Sequence, residues 1–192
     1  MKNLILTGFC PFGHFSTNLS GEIVKRFSFE DECFSIVKKI LPVSWKRSIR
    51  TYEDLLSRLA SKPLLVILLG IHSSNNFHIE NMGWNFKIGK DIDSKLKFGP
   101  IKFNFYPWIK TMLNLKKVYS VIEDKTNVSI SYFAGYYLCN YLYYWALHLS
   151  NKEYPVIFIH VPDKGNIAEY VKKVEIISRA FINIHFNEDL QI

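Results

Sequence analysis

The chain has too few cysteines for a disulfide framework, and none lies in a metal-binding spacing. Cys10, Cys33 and Cys139 are the three present, an odd number that cannot all pair, and CxxC, HxH and HExxH patterns are absent. A disulfide-stapled scaffold and a structural zinc site are thereby excluded, and neither a metal nor a cofactor is expected. An N-terminal leader is not expected either, because Met1-Lys2-Asn3-Leu4-Ile5-Leu6 runs straight into a polar turn. The apolar run 134–149 contains Asn140 and His148 and is too short to span a bilayer. No membrane partner is expected. Internal repeats and linkers are also lacking. A reducing, cytoplasmic setting with free thiols fits these absences.

What is there describes a globular protein. Its 192 residues suit one domain, 1–192, with a full hydrophobic core, and 48% of them are apolar. Aromatic residues make up 16%, and most of those rings should be buried. A net charge of +7 raises the question of an acidic partner such as nucleic acid. The basic, aromatic run Lys95-Leu96-Lys97-Phe98-Gly99-Pro100-Ile101-Lys102-Phe103-Asn104-Phe105 would be its docking site. The same run alternates as a half-buried hairpin does, with lysines outside and apolar residues inside, so no nucleic-acid partner is expected.

Hydrophobic patterning predicts strands over 4–7, 33–40, 64–69, 127–131 and 156–160. Helices are predicted over 19–27 (capped by Asn18 or Ser16), 45–59, 138–149 and 167–181. The segment 77–88 reads as extended, 90–105 as loop and hairpin, and 108–124 as largely helical. Strands alternate with helices along most of the chain. That alternation implies a parallel-dominated sheet with helices on both faces. Ligands in such sheets bind at the carboxyl ends of the strands.

One cysteine stands where a strand hands over to a helix: Cys139, in Ala134-Gly135-Tyr136-Tyr137-Leu138-Cys139-Asn140. Backbone N–H groups at a helix N-terminus favour an anion, which makes a thiol there a candidate nucleophile. The competing assignment is a small apolar core residue. A nucleophile needs a base, and His160 is the candidate: it ends the apolar run Val156-Ile157-Phe158-Ile159 and precedes Val161-Pro162. A core histidine is the other possibility. His72 and His78 are rivals near the loop after Leu69, His14 lies in the first turn, and His148 and His185 read as structural or surface groups. Glu80, alone in an uncharged stretch, is the candidate to orient the imidazole, or else an exposed strand-edge carboxylate.

Taken together, these residues resemble a known family. Thr7-Gly8-Phe9-Cys10-Pro11-Phe12-Gly13 is similar to the TGFxPFG signature of pyroglutamyl peptidase I, also called pyrrolidone carboxyl peptidase. The resemblance continues through Asn18, Leu41-Pro42-Val43, the Glu80/Asn85 segment, Ala134-Gly135 with Cys139-Asn140, and Phe158-Ile159-His160-Val161-Pro162. It implies a three-layer α/β/α sandwich with a mostly parallel central sheet. It also implies a cytoplasmic cysteine peptidase that removes N-terminal pyroglutamate from peptides and assembles as a homo-oligomer, a dimer or tetramer. By the same resemblance the catalytic residues are Cys139, His160 and Glu80, and the substrate is bound by Phe9, Phe12, Asn18 and Ile71. The oxyanion is held by the Cys139 N–H and Lys90.

The chain departs from the pattern at His14, in the loop Gly70-Ile71-His72-Ser73-Ser74-Asn75, and at Lys90, where the family has arginine. These departures leave two alternatives: a peptidase with shifted N-terminal specificity, and a binding protein with weakened catalysis on the same scaffold.

Overall fold

Strand residues that are apolar at every position cannot face water on either side, and the sheet built from them is covered on both. The structure, a computed structural model, describes residues 2–13, 16–28 and 34–186. Its elements in chain order are β1 (Lys2–Phe9), α1 (Leu19–Arg26), β2 (Phe34–Leu41), α2 (Arg47–Ser57), β3 (Leu65–His72), β4 (Phe77–Glu80), β5 (Met82–Trp84) and β6 (Lys87–Lys90). They continue with β7 (Leu96–Gly99), β8 (Trp108–Lys110), α3 (Leu115–Thr126), β9 (Val128–Ser131), α4 (Leu138–Ser150), β10 (Val156–Pro162) and α5 (Ile167–Phe186).

Six strands form the central sheet in the order β2-β1-β3-β10-β4-β9. Side chains alternate across it and feed two separate cores. Leu4, Leu6, Ile67, Leu69, Ile157 and Ile159 pack under α1, α3 and α5. Ile5, Val66, Leu68, Val156 and Phe158 pack under α2 and α4. The result is the expected α/β/α sandwich. Asn18, the expected cap, starts α1 by accepting from the Ser20 N–H at 3.1 Å. Gly21 then lets α1 press on β1, where a Cβ would stand 2.4 Å from the Phe9 carbonyl oxygen.

Four of the five ladders in this sheet are parallel, but β4 runs antiparallel to β10 and β9 runs with β4. A strand-to-helix handover in a parallel sheet would put Cys139 directly beyond its own strand, at the edge where β1, β3 and β10 end, and β9 does not end there. The carboxyl end of β9 points the other way, and residues 132–137 carry the chain back to the start of α4. His160 also does not neighbour the strand before Cys139, because β4 lies between β10 and β9.

Two further corrections concern the middle of the chain. The helix expected over 108–124 begins at Leu115, where Asn114 caps it by accepting from the Lys117 N–H. Residues 108–110 instead pair with β5, and Thr111 ties the connection down by donating to the Val156 carbonyl at 2.7 Å. The predicted hairpin exists as β6 paired with β7, but its apolar side chains do not turn inward: Leu96 and Phe98 are 73% and 76% exposed. His14 and Cys33, with the start of the strand expected at 33, lie outside the described residues. No helix among the described residues is long and apolar enough to cross a membrane.

Candidate active site

Register brings the candidate residues together. On β10, His160 lies opposite Gly70 of β3 on one side and His78 of β4 on the other. Two residues away, Glu80 of β4 pairs with Phe158. The reversed direction of β4 is what lets Glu80 reach back: its Oε1 lies 2.7 Å from His160 Nδ1. A carboxylate can only accept, so Nδ1 carries the proton and Nε2 is left to face the cavity. Both side chains are buried, and Glu80 Oε2 has no hydrogen-bond partner among the described residues. Desolvation on this scale is tolerable only beside a compensating cation.

Cys139 completes the series. It is half-buried, free, and the second residue of α4, so its N–H is among the four that a helix leaves without an intrahelical acceptor. The helix starts at Leu138 because Gly135, at φ 76°, turns the chain in the left-handed region just before it. The thiol sits over the sheet at Gly70, where a Cβ would be 2.8 Å from Cys139 Sγ and 2.7 Å from Phe158 Cζ. Only glycine leaves that space. Cys139 hydrogen-bonds to the His160 ring. Burial opposes charging of that imidazole. The Cys139 sulfur and the Glu80 carboxylate outweigh burial and push the pKa up to about 9. At neutral pH the ring is therefore an imidazolium held between two acceptors.

A cavity of about 210 Å³ opens onto the pair, lined on its apolar side by Phe9, Phe12, Val43, Ile71 and Leu138. Of the expected substrate residues, Phe9, Phe12, Asn18 and Ile71 all line it. Asn18 does so with its amide already committed. Its Nδ2 donates to the Cys10 carbonyl at 3.1 Å, and its Oδ1 accepts from both the N–H and the hydroxyl of Ser20. It shapes the first turn and the helix rather than offering a free donor. Cys10 packs against the core beside Phe9.

Lys90 departs from the expectation. Its side chain is exposed and is not part of the cavity lining; it meets the site through its carbonyl, which accepts from the Tyr137 hydroxyl at 2.8 Å. A resemblance in sequence does not reveal side-chain direction. Tyr137 was not singled out by sequence, although it stands two residues before the thiol and lines the cavity. Asn140 stands in the sequence pattern only as the residue after the thiol. It is buried, accepts from the Trp84 N–H at 2.7 Å and donates to the Trp84 and Phe86 carbonyls. The rivals His72 and His78 do not line the cavity, and neither do His148 and His185, the histidines read as structural or surface groups. Among the described residues, no group of three or more His, Cys, Asp or Glu could hold a metal ion.

A thiol, an imidazole and a carboxylate in series form the nucleophile–base–orienter arrangement of a cysteine hydrolase. The sequence profile of the pyroglutamyl peptidase family matches residues 1–174, and the chain belongs to that family. It is 31% identical over 167 residues to a pyrrolidone-carboxylate peptidase of Thermosipho africanus, a match covering 83% of this chain and 80% of that protein. With its counterpart from Thermococcus litoralis it shares 32% identity over 177 residues, covering 84% and 77%. The solved pyrrolidone carboxyl peptidase of Thermococcus litoralis superposes with a TM-score of 0.89 at 26% identity, covering 98% of this chain and 96% of that one. The enzyme from Fervidobacterium islandicum gives 0.82 at 26% identity, covering 96% and 99%.

Proposed function

We propose that this chain is a cysteine peptidase that removes N-terminal pyroglutamate from peptides, with Cys139 as nucleophile, His160 as acid–base group and Glu80 as its orienter. The observation that carries this is the buried Glu80–His160 pair at 2.7 Å, hydrogen-bonded on to a thiol at a helix N-terminus in an aromatic-lined cavity. The flat, uncharged lactam lies between Phe9, Phe12 and Ile71, where a charged N-terminus would be costly to desolvate. Cys139 Sγ attacks the pyroglutamyl carbonyl. The developing oxyanion meets the Cys139 N–H and the positive end of α4. The C–N bond breaks as His160 gives its proton to the leaving amine, and a thioester remains. Water, deprotonated by His160, then attacks the thioester and releases pyroglutamate and the thiol.

The working unit is one domain, 1–192, acting in the cytoplasm as a dimer or tetramer. Exposed Phe98, Phe103 and Phe133, which a lone subunit would leave in water, support assembly.

The test is release of a fluorescent amine from a pyroglutamyl amide and from the matching prolyl amide, with wild type and Cys139→Ala. Cleavage of the pyroglutamyl amide that vanishes in the variant is expected. Cleavage of neither by a folded protein overturns the reading. Preferential cleavage of the prolyl amide moves the specificity away from pyroglutamate.

A further inference from the structure

Three histidines stand together near Glu80, and the reaction uses one of them. His72 ends β3 and lies nearly parallel to His160, with ring centroids 5.2 Å apart and planes 23° from each other. His78, the register partner of His160 on β4, meets His72 edge-on at 4.4 Å. Phe158 touches the His160 ring at 4.8 Å. The catalytic imidazole is thus fixed along one edge by Glu80 and packed by neighbouring rings.

His72 is itself held in place. Its Nε2 is 2.8 Å from the Asn76 carbonyl, which only accepts, so Nε2 bears a proton. Its own carbonyl accepts from the Asp163 N–H. Among the described residues no carboxylate bonds to it, and with Nε2 engaged it is poorly placed to act as a base. The groups that face it are His160 on β10, His78 and Glu80 on β4, and the Asn76 carbonyl in the connection between β3 and β4. Half-burial comes first among the influences on its charge, followed by the imidazolium of His160. Together they hold His72 down at about 4, so the two rings do not carry charge at once.

Resting on the proposed peptidase function, we propose that His72 is a positioning residue: a neutral, flat cover that fixes the plane of His160 toward Cys139 and keeps water and a second positive charge away from the Glu80–His160 pair. The role requires a flat ring and the absence of charge. It does not require a titratable group.

The experiment compares wild type with H72A, H72F and H72K, measuring kcat and KM for the pyroglutamyl amide between pH 6 and 10. Each protein's unfolding midpoint is checked first. H72A is expected to lose on the order of 10-fold in kcat with KM little changed, because a misaligned base weakens the chemical step. H72F, flat and uncharged, should recover most of that loss. H72K should lose more than H72A at pH 7 and shift the alkaline limb downward, because a like charge disfavours the imidazolium. Histidine-selective ¹⁵N NMR of the same proteins without substrate reads His160 directly. Its midpoint should fall in H72K and stay near wild type in H72F. Wild-type kcat in H72A, an H72F as impaired as H72A, or an unmoved His160 midpoint in H72K overturns the proposal. If wild type does not cleave the amide, the peptidase reading falls, and the NMR comparison still decides whether His72 controls the charge of His160.

Discussion

At Gly70 a single methyl group decides whether Cys139 keeps its place. A Cβ there would meet both Cys139 Sγ and the ring of Phe158 within 3 Å, so one of them must move. Gly70→Ala should cost about 1–3 kcal/mol of stability through overpacking. It should also lower kcat by at least 10-fold, because a thiol displaced by a fraction of an ångström loses its line to the imidazole. Chemical denaturation read beside amide hydrolysis checks both effects. The charge on His160 makes a second prediction. Its folded pKa, about 9, lies above the usual 6.5, so the group binds its proton more tightly in the folded chain. The stability it contributes is full below about pH 6.5 and is lost as pH rises through about 9. The difference in unfolding free energy between wild type and H160Q should therefore shrink between pH 6 and pH 10. In Cys139→Ala the largest influence raising the pKa is gone, and the His160 midpoint should move down, measured by NMR titration.

At the scale of elements, α4 does two jobs. Its second residue is the thiol, and its third, Asn140, holds the β5–β6 segment through three backbone hydrogen bonds. Asn140→Ala leaves the part-buried Trp84 N–H and Phe86 carbonyl without these partners, while the Trp84 carbonyl keeps the Phe86 N–H. It should destabilise by about 2–5 kcal/mol, more than the lost side chain alone would cost. Thermal melts measure this. The elements legible in the sequence were those carried by their own apolar pattern: β1, β3, β10 and α4 buried as expected, and α1 began at its cap. The direction of β4 was not legible, because a strand has the same alternation read either way; its reversal depends on pairing with β10 and β9, far along the chain. The pairs β5–β8 and β6–β7 are three and four residues long and draw their stability from each other rather than from local preference. Glu80 was legible as a lone charge in an uncharged stretch, and Cys139 and His160 by their places beside apolar runs. The stacking of His72 was not, since it arises from register across two strands.

For the whole molecule, the hairpin formed by β6 and β7 leaves Leu96 and Phe98 exposed. Phe98 packs on Phe86, Phe86 on Tyr136, and Tyr136 on Phe133, so a run of rings leads from the hairpin to the wall of the cavity. Sedimentation should find a dimer or tetramer, and Phe98→Glu should shift it toward monomer. A monomeric wild type would remove the assembly proposal and leave the chemistry untouched.

The turn of this hairpin is tied to the body of the protein by Trp45, whose Nε1 donates to the Lys95 carbonyl at 2.9 Å. The same indole is buried and stands edge-on to Tyr137, centroids 5.4 Å apart, and Tyr137 lines the cavity. A fluorophore thus stands behind Tyr137, one side chain removed from the cavity. An occupant that displaces Tyr137, or a partner that pulls on the hairpin, changes the surroundings of one indole. The protein's own ultraviolet emission can then report filling of the slot and assembly without a label, and Trp45→Phe should silence the signal.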